Sequence, residues 1–349
     1  MSNDNVVIKP SNGRKYNIDL LKIVLAIMIV MNHSIGHGIK NIDYSIYENN
    51  KIMLDIIWSF TNPAVNIFFL ISGYFGIKRT KKSGLTLLDN MLIIGFILGM
   101  ISLFLGTMGL IDLIKSIVFP WSSWWFMTAY MIIWVLSPYI NFSIETLSDN
   151  QLRKFIITLL LITLLHGFVF NGFLWGDGFS FSHCVTMYMV GRYLSRLDIS
   201  IIPKKRFLIF IYIITTVLEC TLYELGLSMN ASGIVERISS YACPIVIAQS
   251  LSLFLFFSKC DIKLIDNIGK GKIFSLLKSS VLIVYLITDF GGIKKYIYIP
   301  LVKVIDLTGM VFTSILIYAI ISLIAVVPIC TTLNYITNGI YHSFIEHSR

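Results

Sequence analysis

The sequence predicts an all-α membrane protein, a polytopic helix bundle with about ten transmembrane helices. Hydrophobic residues make up 56% of the 349 residues and charged residues 13%, whereas soluble domains average about 45–50% and about 25%. The mean hydropathy is +0.79. The apolar residues gather in runs of roughly 20, the length that crosses a bilayer as a helix. This composition excludes a soluble globular enzyme, a disordered chain and a disulfide-stabilised scaffold.

The apolar runs give the candidate spans in chain order. Residues 1–17 are predicted to be a polar tail, and the first run starts at Ile18. No small-residue cleavage site follows it, which favours a retained helix over a removed signal peptide. We expect one transmembrane domain over residues 18–338 and a second tail over 339–349. The other nine runs cover residues 52–76, 85–107, 122–139, 153–172, 179–198, 206–228, 237–258, 272–291 and 308–337.

The basic residues indicate how such a bundle is oriented. Ten spans put both termini on one side of the membrane. If that side is the cytoplasm, the inside segments carry 19 Lys and Arg residues and the outside segments seven, while Lys22 and Lys278 lie within spans. Because cytoplasmic loops are enriched in these residues, we expect an N-in/C-in protein. Frequent Ile, Lys and Asn residues suggest an AT-rich bacterial genome, so the expected location is a bacterial cytoplasmic membrane. Orientation then explains most of the net charge of +9, and no nucleic-acid partner is expected. A homo-oligomer is left open.

The cysteines give no indication of disulfide bonds or of a metal site. They are scattered without a CxxC spacing, and most lie in apolar runs, where cysteine behaves as a small hydrophobic residue. We expect no disulfide and no metal site from them. The five are Cys184, Cys220, Cys243, Cys260 and Cys330.

The first span carries side chains that are costly in a bilayer and by default mark a function. Lys22 and His33 are eleven residues apart, which on a helix is three turns plus about 20° and a rise of roughly 16 Å. They are therefore predicted to share a face. Asp19 precedes Lys22 by three residues, within pairing distance, and His37 lies one turn beyond His33. The alternative for Lys22 alone is that its ammonium group extends to the membrane surface.

The second span ends in polar groups and is followed by cations. Its last residues, 66–75, place a glycine between two hydroxyl-bearing side chains, and glycine allows helices in membranes to approach closely. The basic run at residues 78–82 fits the positive-inside rule by itself; the sharper alternative is a docking surface for a nucleotide phosphate. The residues concerned are Ser72, Gly73 and Tyr74 in the span, and Lys78, Arg79, Lys81 and Lys82 after it.

Four motifs in this order resemble the acyltransferase 3 family of bacterial membrane acyltransferases. The first is Asp19-x-x-Lys22-x10-His33, and the second, Phe68-Phe-Leu-Ile-Ser-Gly-Tyr-Phe75, matches the family's FFxxSGY segment. The block from Trp125 to Asn141 resembles the family's fourth span. Tyr188-Met-Val-Gly-Arg-Tyr193 resembles a stretch common in its polysaccharide-modifying members. The resemblance covers residues 14 to about 290.

The resemblance implies an acyl-CoA-dependent O-acetyltransferase. It would move an acetyl group from cytoplasmic acetyl-CoA to a hydroxyl of a surface polysaccharide or its lipid-linked precursor. His33 would act as general base or carry the acyl group transiently, with Lys22 held in place by Asp19. The CoA phosphates would meet Lys78, Arg79, Lys81 and Lys82. The implied substrate contacts are Ser72, Tyr74, Trp125, Tyr130, Arg192 and Asp289.

Two positions depart from the family pattern. Lys22 stands where Arg is usual, which keeps the charge but loses the planar bidentate donor group. Thr288 stands where the family often has a late histidine, in Tyr285-Leu-Ile-Thr288. This departure puts in doubt a role for a second histidine at that position. The neighbouring Asp289 is the candidate to take that role instead.

Two other classes of membrane protein compete with the enzyme. A proton-coupled transporter or flippase would also use intramembrane groups such as His183 and Glu219, although no internal repeat of the kind many carriers show is found. A glycan polymerase would be expected to have a large charged outer loop, and the longest outer loops here are short. No P-loop, Rossmann or HExxH motif occurs, and no metal cofactor is expected.

Overall fold

The fold is known from a computed structural model, which describes residues 16–170, 178–260 and 271–346. Throughout these ranges the regular structure is helical, without β-strands, and the predicted all-α class is confirmed. Almost all of the predicted N-terminal tail and the last three residues lie outside the described residues.

The helices of the first half lie between residues 16 and 169. The first helix passes without interruption into a π-helix and then into a short α-helix. In order they are α1 (Tyr16–His33), a π-helix (Ser34–Ile39), α2 (Lys40–Ile42), α3 (Tyr44–Asn49), α4 (Lys51–Thr61), α5 (Ala64–Phe75), α6 (Lys81–Phe104), α7 (Leu110–Val118), a 3-10 turn (Pro120–Ser123), α8 (Trp125–Thr146), α9 (Asp149–Ile162) and a second π-helix (Thr163–Val169).

The second half contains shorter helices between longer ones. In order they are α10 (Phe181–Leu194), a 3-10 turn (Ile199–Ile201), α11 (Lys205–Ser228), α12 (Ser232–Ser239), α13 (Pro244–Ser258), α14 (Lys272–Thr288), α15 (Lys294–Thr308), α16 (Val311–Ala325) and α17 (Val327–Glu346). The last helix therefore continues past residue 338, where a tail was predicted.

Among the described residues, eight of the ten predicted spans are helices that are long and apolar enough to cross a membrane. The other two predicted spans contain α10 and α14, which are 14 and 17 residues long and so fall short of the roughly 20 residues that a full crossing takes. The chain is a multi-pass membrane protein. The number ten and the N-in/C-in orientation remain predictions.

The first helix occupies the centre of the bundle. It packs against α4, α5, α13, α14 and α16, and two thirds of its spanning window is buried within the protein, against about a quarter for the peripheral α11 span. The apolar side chains of Phe210, Ile213 and Val217 on α11 point outward, as expected for a surface in contact with lipid. Polar groups on the first helix are therefore surrounded by protein rather than by lipid.

Helix α5 is held close to α10 by two glycines. A Cβ atom added at Gly73 would lie 1.8 Å from the carbonyl oxygen of Tyr188, and one added at Gly191 would lie 2.2 Å from that of Leu70. Both neighbours are backbone atoms, so the two helices approach as closely as glycine allows. This crossing fixes the end of α5 and the chain that follows it.

The turn after α5 directs the basic run toward α6. Gly76 has a φ of +68°, a conformation that favours glycine, and the chain then enters α6 through a capping box. In that box Thr80 accepts a hydrogen bond from the Ser83 backbone, and the Ser83 hydroxyl accepts one from the Thr80 backbone. This arrangement satisfies amide groups at the start of the helix. The side chains at 78–82 are thus carried on an ordered turn.

All five cysteines are free and buried.

Candidate active site

A cavity of about 630 Å³ lies between the first helix and α5, α6, α8 and α14. It has two chemically different ends. Lys22 and Lys78 line what we call the basic end, while His33, Tyr241 and Tyr285 line what we call the histidine end. The side chains between them include Ala26, Ile29, Phe68, Ile71 and Leu87, so the passage joining the ends is mostly apolar.

The first helix supplies one group to each end. Lys22 and His33 both line the cavity, as the shared face predicted for them requires. Their eleven-residue separation corresponds to roughly 16 Å along the axis. A ligand that reached both groups would therefore be extended.

At the basic end, two lysines share one carboxylate. The Nζ atom of Lys22 lies 3.5 Å from Oδ1 of Asp19, and the Nζ atom of Lys278 lies 3.4 Å from Oδ2. The contact predicted between Asp19 and Lys22 is present. Lys278 on α14 was not predicted as a site residue. Since one carboxylate faces two ammonium groups, this end carries an excess of positive charge, which attracts anions.

The basic run divides between the cavity rim and the exterior. Lys78 lines the cavity. Arg79 donates to the carbonyl of Val135 at 3.3 Å, and its guanidinium lies 5.9 Å from the ring centre of Trp134, a cavity residue. Lys81 and Lys82 are exposed in the first turn of α6. The structure thus brings Lys78 and Arg79 to the basic end and leaves the other two nearby at the surface.

Three of the predicted substrate contacts line the cavity, and three do not. Ser72, Trp125 and Tyr130 are lining residues. The ring of Tyr74 instead packs edge-on against Phe254, with centroids 5.3 Å apart. Arg192 and Asp289 make their contacts outside the cavity wall.

Arg192 lies behind the turn that follows α5. Its Nη2 is 3.4 Å from Oε1 of Glu145, and a Cβ at Gly76 would meet its Nη1 at 2.9 Å. The neighbouring Tyr188 hydroxyl accepts from the Ile77 amide at 3.0 Å and donates to Asn141 at 2.8 Å. These contacts hold the turn that carries Lys78, so Arg192 supports the basic end from behind.

At the histidine end, Thr288 orients the His33 ring. The Thr288 hydroxyl donates to the carbonyl of Val284 at 2.8 Å, so its oxygen is left to accept from Nδ1 of His33 at 3.4 Å. This network assigns the proton to Nδ1. Nε2 then carries the lone pair, the state that a general base requires. The residue that departs from the resembled pattern therefore contacts the candidate base directly.

Asp289 pairs with a second histidine beside His33. Its Oδ1 lies 3.2 Å from Nε2 of His37, and the rings of His33 and His37 have centroids 4.9 Å apart. His37 was noted in the sequence as one turn beyond His33 but was not predicted to be a site residue. Ligand-type atoms of His33, His37 and Asp289 all lie within 4.8 Å of one another, so these three side chains form the one group among the described residues that offers the donor set of a metal site.

The other intramembrane polar groups pair elsewhere in the bundle. Glu219 accepts from the Asn62 amide at 2.7 Å, which is the contact with another helix that its depth suggests. His183 lies 2.8 Å from Oδ1 of Asn66. Neither Glu219 nor His183 lines the cavity.

Sequence reasoning placed Lys278 with Lys22 toward the inner side of the membrane but missed its contact with Asp19, and it missed His37 and Tyr285 as site residues. Lys278 and Tyr285 lie on α14, roughly 250 residues along the chain from the first helix, and meet it only through packing. A signal for His37 was present, since it follows His33 by four residues. The π-helix that orients it leaves no recognisable pattern in the sequence.

Comparison with known proteins agrees with the resemblance. A family model described as an acyltransferase domain matches residues 15–335, nearly the whole chain. No curated protein and no solved structure matches it.

Proposed function

This chain belongs to the acyltransferase 3 family of membrane acyltransferases, and from that premise we propose that it is an O-acetyltransferase. The proposed donor is cytoplasmic acetyl-CoA, and the proposed acceptor is a hydroxyl of a surface polysaccharide or its lipid-linked precursor. The observation that carries the proposal is one cavity with cations at one end and a histidine with an oriented lone pair at the other.

The two ends of the cavity suit the two parts of acetyl-CoA. The donor has an anionic nucleotide portion and a long, narrow arm that ends in the thioester. Lys22 and Lys78 at the basic end would bind phosphate oxygens, and such charge-assisted contacts are the stronger class of hydrogen bond. The apolar passage past Ala26 and Ile71 would hold the arm. The thioester would then arrive near His33.

The charge distribution supports a cytoplasmic entrance for the donor. With N-in/C-in topology, the start of the first helix and the basic run at 78–82 both face the cytoplasm, where acetyl-CoA is available. His33 lies roughly 16 Å deeper, by the helix rise. The acceptor would then approach from the outer side.

The proposed reaction is a direct acyl transfer with His33 as general base. Nε2 of His33 takes the proton of the acceptor hydroxyl while the acceptor oxygen forms a bond to the acetyl carbonyl carbon. The carbon–sulfur bond of the thioester then breaks. The CoA thiolate leaves and recovers that proton from His33. No oxidant, reductant or metal is needed to balance these steps.

The polysaccharide acceptor is supported by sequence alone. The stretch from Tyr188 to Tyr193 resembles one common in polysaccharide-modifying members of the family. To test the proposal, purified protein in detergent is given acetyl-labelled CoA and an extract of bacterial membrane glycans. Alkali-labile label should appear in the glycan together with free CoA. Failure to release CoA or to label the glycan above a no-enzyme control would contradict the proposal.

Lys22→Ala should raise the KM for acetyl-CoA by about 10- to 100-fold, because a hydrogen bond between charged groups is worth roughly 1.5–3 kcal/mol. Lys22→Arg should retain at least part of the transfer, since it keeps the cation. The measurement is CoA release as a function of acetyl-CoA concentration.

A matched control for Lys22 is Lys115. It also pairs with an aspartate three residues earlier, Asp112, at 3.4 Å, but this pair is exposed and away from the cavity. Lys115→Ala should leave the KM unchanged. An unchanged KM for acetyl-CoA in Lys22→Ala would show that the cation at this position does not bind the donor, whereas equal inactivity of Lys22→Arg and Lys22→Ala would show that Lys22 is not the counterpart of the family's basic residue.

A further inference from the structure

The π-helix after α1 places a second imidazole beside His33. Residues Ser34–Ile39 form this helix, whose turn is wider than that of an α-helix. Side chains four residues apart lie on the same side of a helix, and the rings of His33 and His37 lie 4.9 Å apart. Single π-turns of this kind occur frequently at functional sites. The π-helix therefore lies directly at the histidine end and carries His37.

His37 and Asp289 lie next to His33 but are not part of the lining of the donor cavity. Neither residue lines that cavity, yet the His37 side chain is 27% exposed and that of Asp289 is 11% exposed. Asp289 follows the last residue of α14 as its C-cap, so its backbone position is set by a packed helix. Both side chains therefore keep some accessible surface that does not belong to the lining of the donor cavity.

The three side chains are spaced to hold a single oxygen atom. Three atoms that lie within 4.8 Å of one another all fall within about 2.8 Å of a common point, which is hydrogen-bond distance for a hydroxyl oxygen. A hydroxyl group donates one proton and accepts through its lone pairs, so one hydroxyl can donate to only one acceptor of the cluster. If that acceptor is the His33 lone pair, the Asp289 carboxylate, which lies 3.2 Å from His37 Nε2, is left to accept from a second hydroxyl of the same ligand. The Asp289 carboxylate would repel an anionic group. The chemistry favours an uncharged polyol.

We propose that His37 and Asp289 bind the acceptor hydroxyl against His33, so that His37 is a substrate-binding residue of an acceptor site distinct from the donor cavity. This proposal rests on the proposed acetyl transfer. His33 then stands between the two substrates, with the thioester on one side and the hydroxyl on the other. The ligand class is a sugar diol or a similar polyhydroxylated group.

The test separates acceptor from donor binding. His37→Asn, His37→Gln and Asp289→Asn should each raise the apparent KM for the membrane glycan extract by about 10-fold, the effect of losing one polar contact. The Kd for acetyl-CoA, measured by calorimetry, should stay within about two-fold, because these residues do not face the donor cavity. His166→Asn is the matched control, since His166 also lies in a π-helix, Thr163–Val169, but outside the site. It should change neither constant.

An unchanged KM for the extract would overturn the acceptor site. So would a Kd for acetyl-CoA that weakens by the same factor as the KM for the extract. Loss of acetyl-CoA binding in all three variants would show that His37 and Asp289 have a structural role instead. Activity lost with EDTA and restored by zinc would make the cluster a metal site instead. Failure of the proposed function is distinguishable, because wild-type protein would then transfer no label from acetyl-CoA at all.

Discussion

Replacing His33 with alanine should lower acetyl transfer by about 10²- to 10⁴-fold, the range that a general base contributes. Transfer would lose the group that takes the acceptor proton, while the basic end of the cavity stays intact. The KM for acetyl-CoA should therefore change little. The measurement is CoA release and glycan labelling by purified wild-type and His33→Ala protein, side by side.

The control for this prediction is His166→Ala, a histidine on α9's π-helical extension that does not line the cavity. It should retain wild-type rates. If wild type and His33→Ala released CoA equally slowly, His33 would have no part in the chemistry. A transporter or flippase would then be the better interpretation of the bundle.

Gly73→Ala should prevent the native packing of α5 on α10. The new methyl group would lie 1.8 Å from the Tyr188 carbonyl oxygen, and neither backbone can yield without separating the helices. We expect a loss of about 3 kcal/mol or more, the upper end of the cost of overpacking. The measurement is the thermal unfolding midpoint of the purified protein in detergent.

Gly233→Ala provides the comparison for this effect. Gly233 lies in helix α12, and a Cβ added there meets nothing within 4 Å. Alanine is the better helix former by about 1 kcal/mol, so this variant should melt at or slightly above the wild-type temperature. If Gly73→Ala unfolded at the same temperature as Gly233→Ala, the close approach of α5 and α10 would be contradicted.

Most of the fold could be predicted because membrane-spanning helices are encoded by contiguous stretches of the sequence. A span needs about 20 apolar residues in a row, and eight such runs are helices of sufficient length. The short α10 and α14 are less easily predicted. Nine of the 14 residues of α10 and seven of the 17 residues of α14 are buried by protein, so their apolar runs resemble spans although the helices are shorter.

The candidate site could be predicted where one helix carries it. Lys22 and His33 share a face because eleven residues complete three turns, and both line the cavity. The contacts of Lys278 with Asp19 and of Thr288 with His33 join residues more than 250 positions apart. Such contacts arise from packing, which a single sequence does not encode in any local pattern.

Two of the predicted residues that lie off the cavity do so for physical reasons that the structure shows. Arg192 matches a short family motif, but its guanidinium pairs with Glu145 and packs against Gly76. Tyr74 follows a cavity residue by two positions, and on a helix a two-residue step turns by about 200° to the opposite side. Its ring therefore meets Phe254 on α13.

The most direct test of the account is a structure of the protein with a thioether analogue of acetyl-CoA that cannot transfer its acetyl group. We expect the phosphates beside Lys22 and Lys78, the arm along the cavity, and the acetyl carbonyl carbon within about 4 Å of the His33 ring, close to an attack geometry. An analogue bound outside the cavity, or bound with its acetyl group at the basic end, would contradict the account.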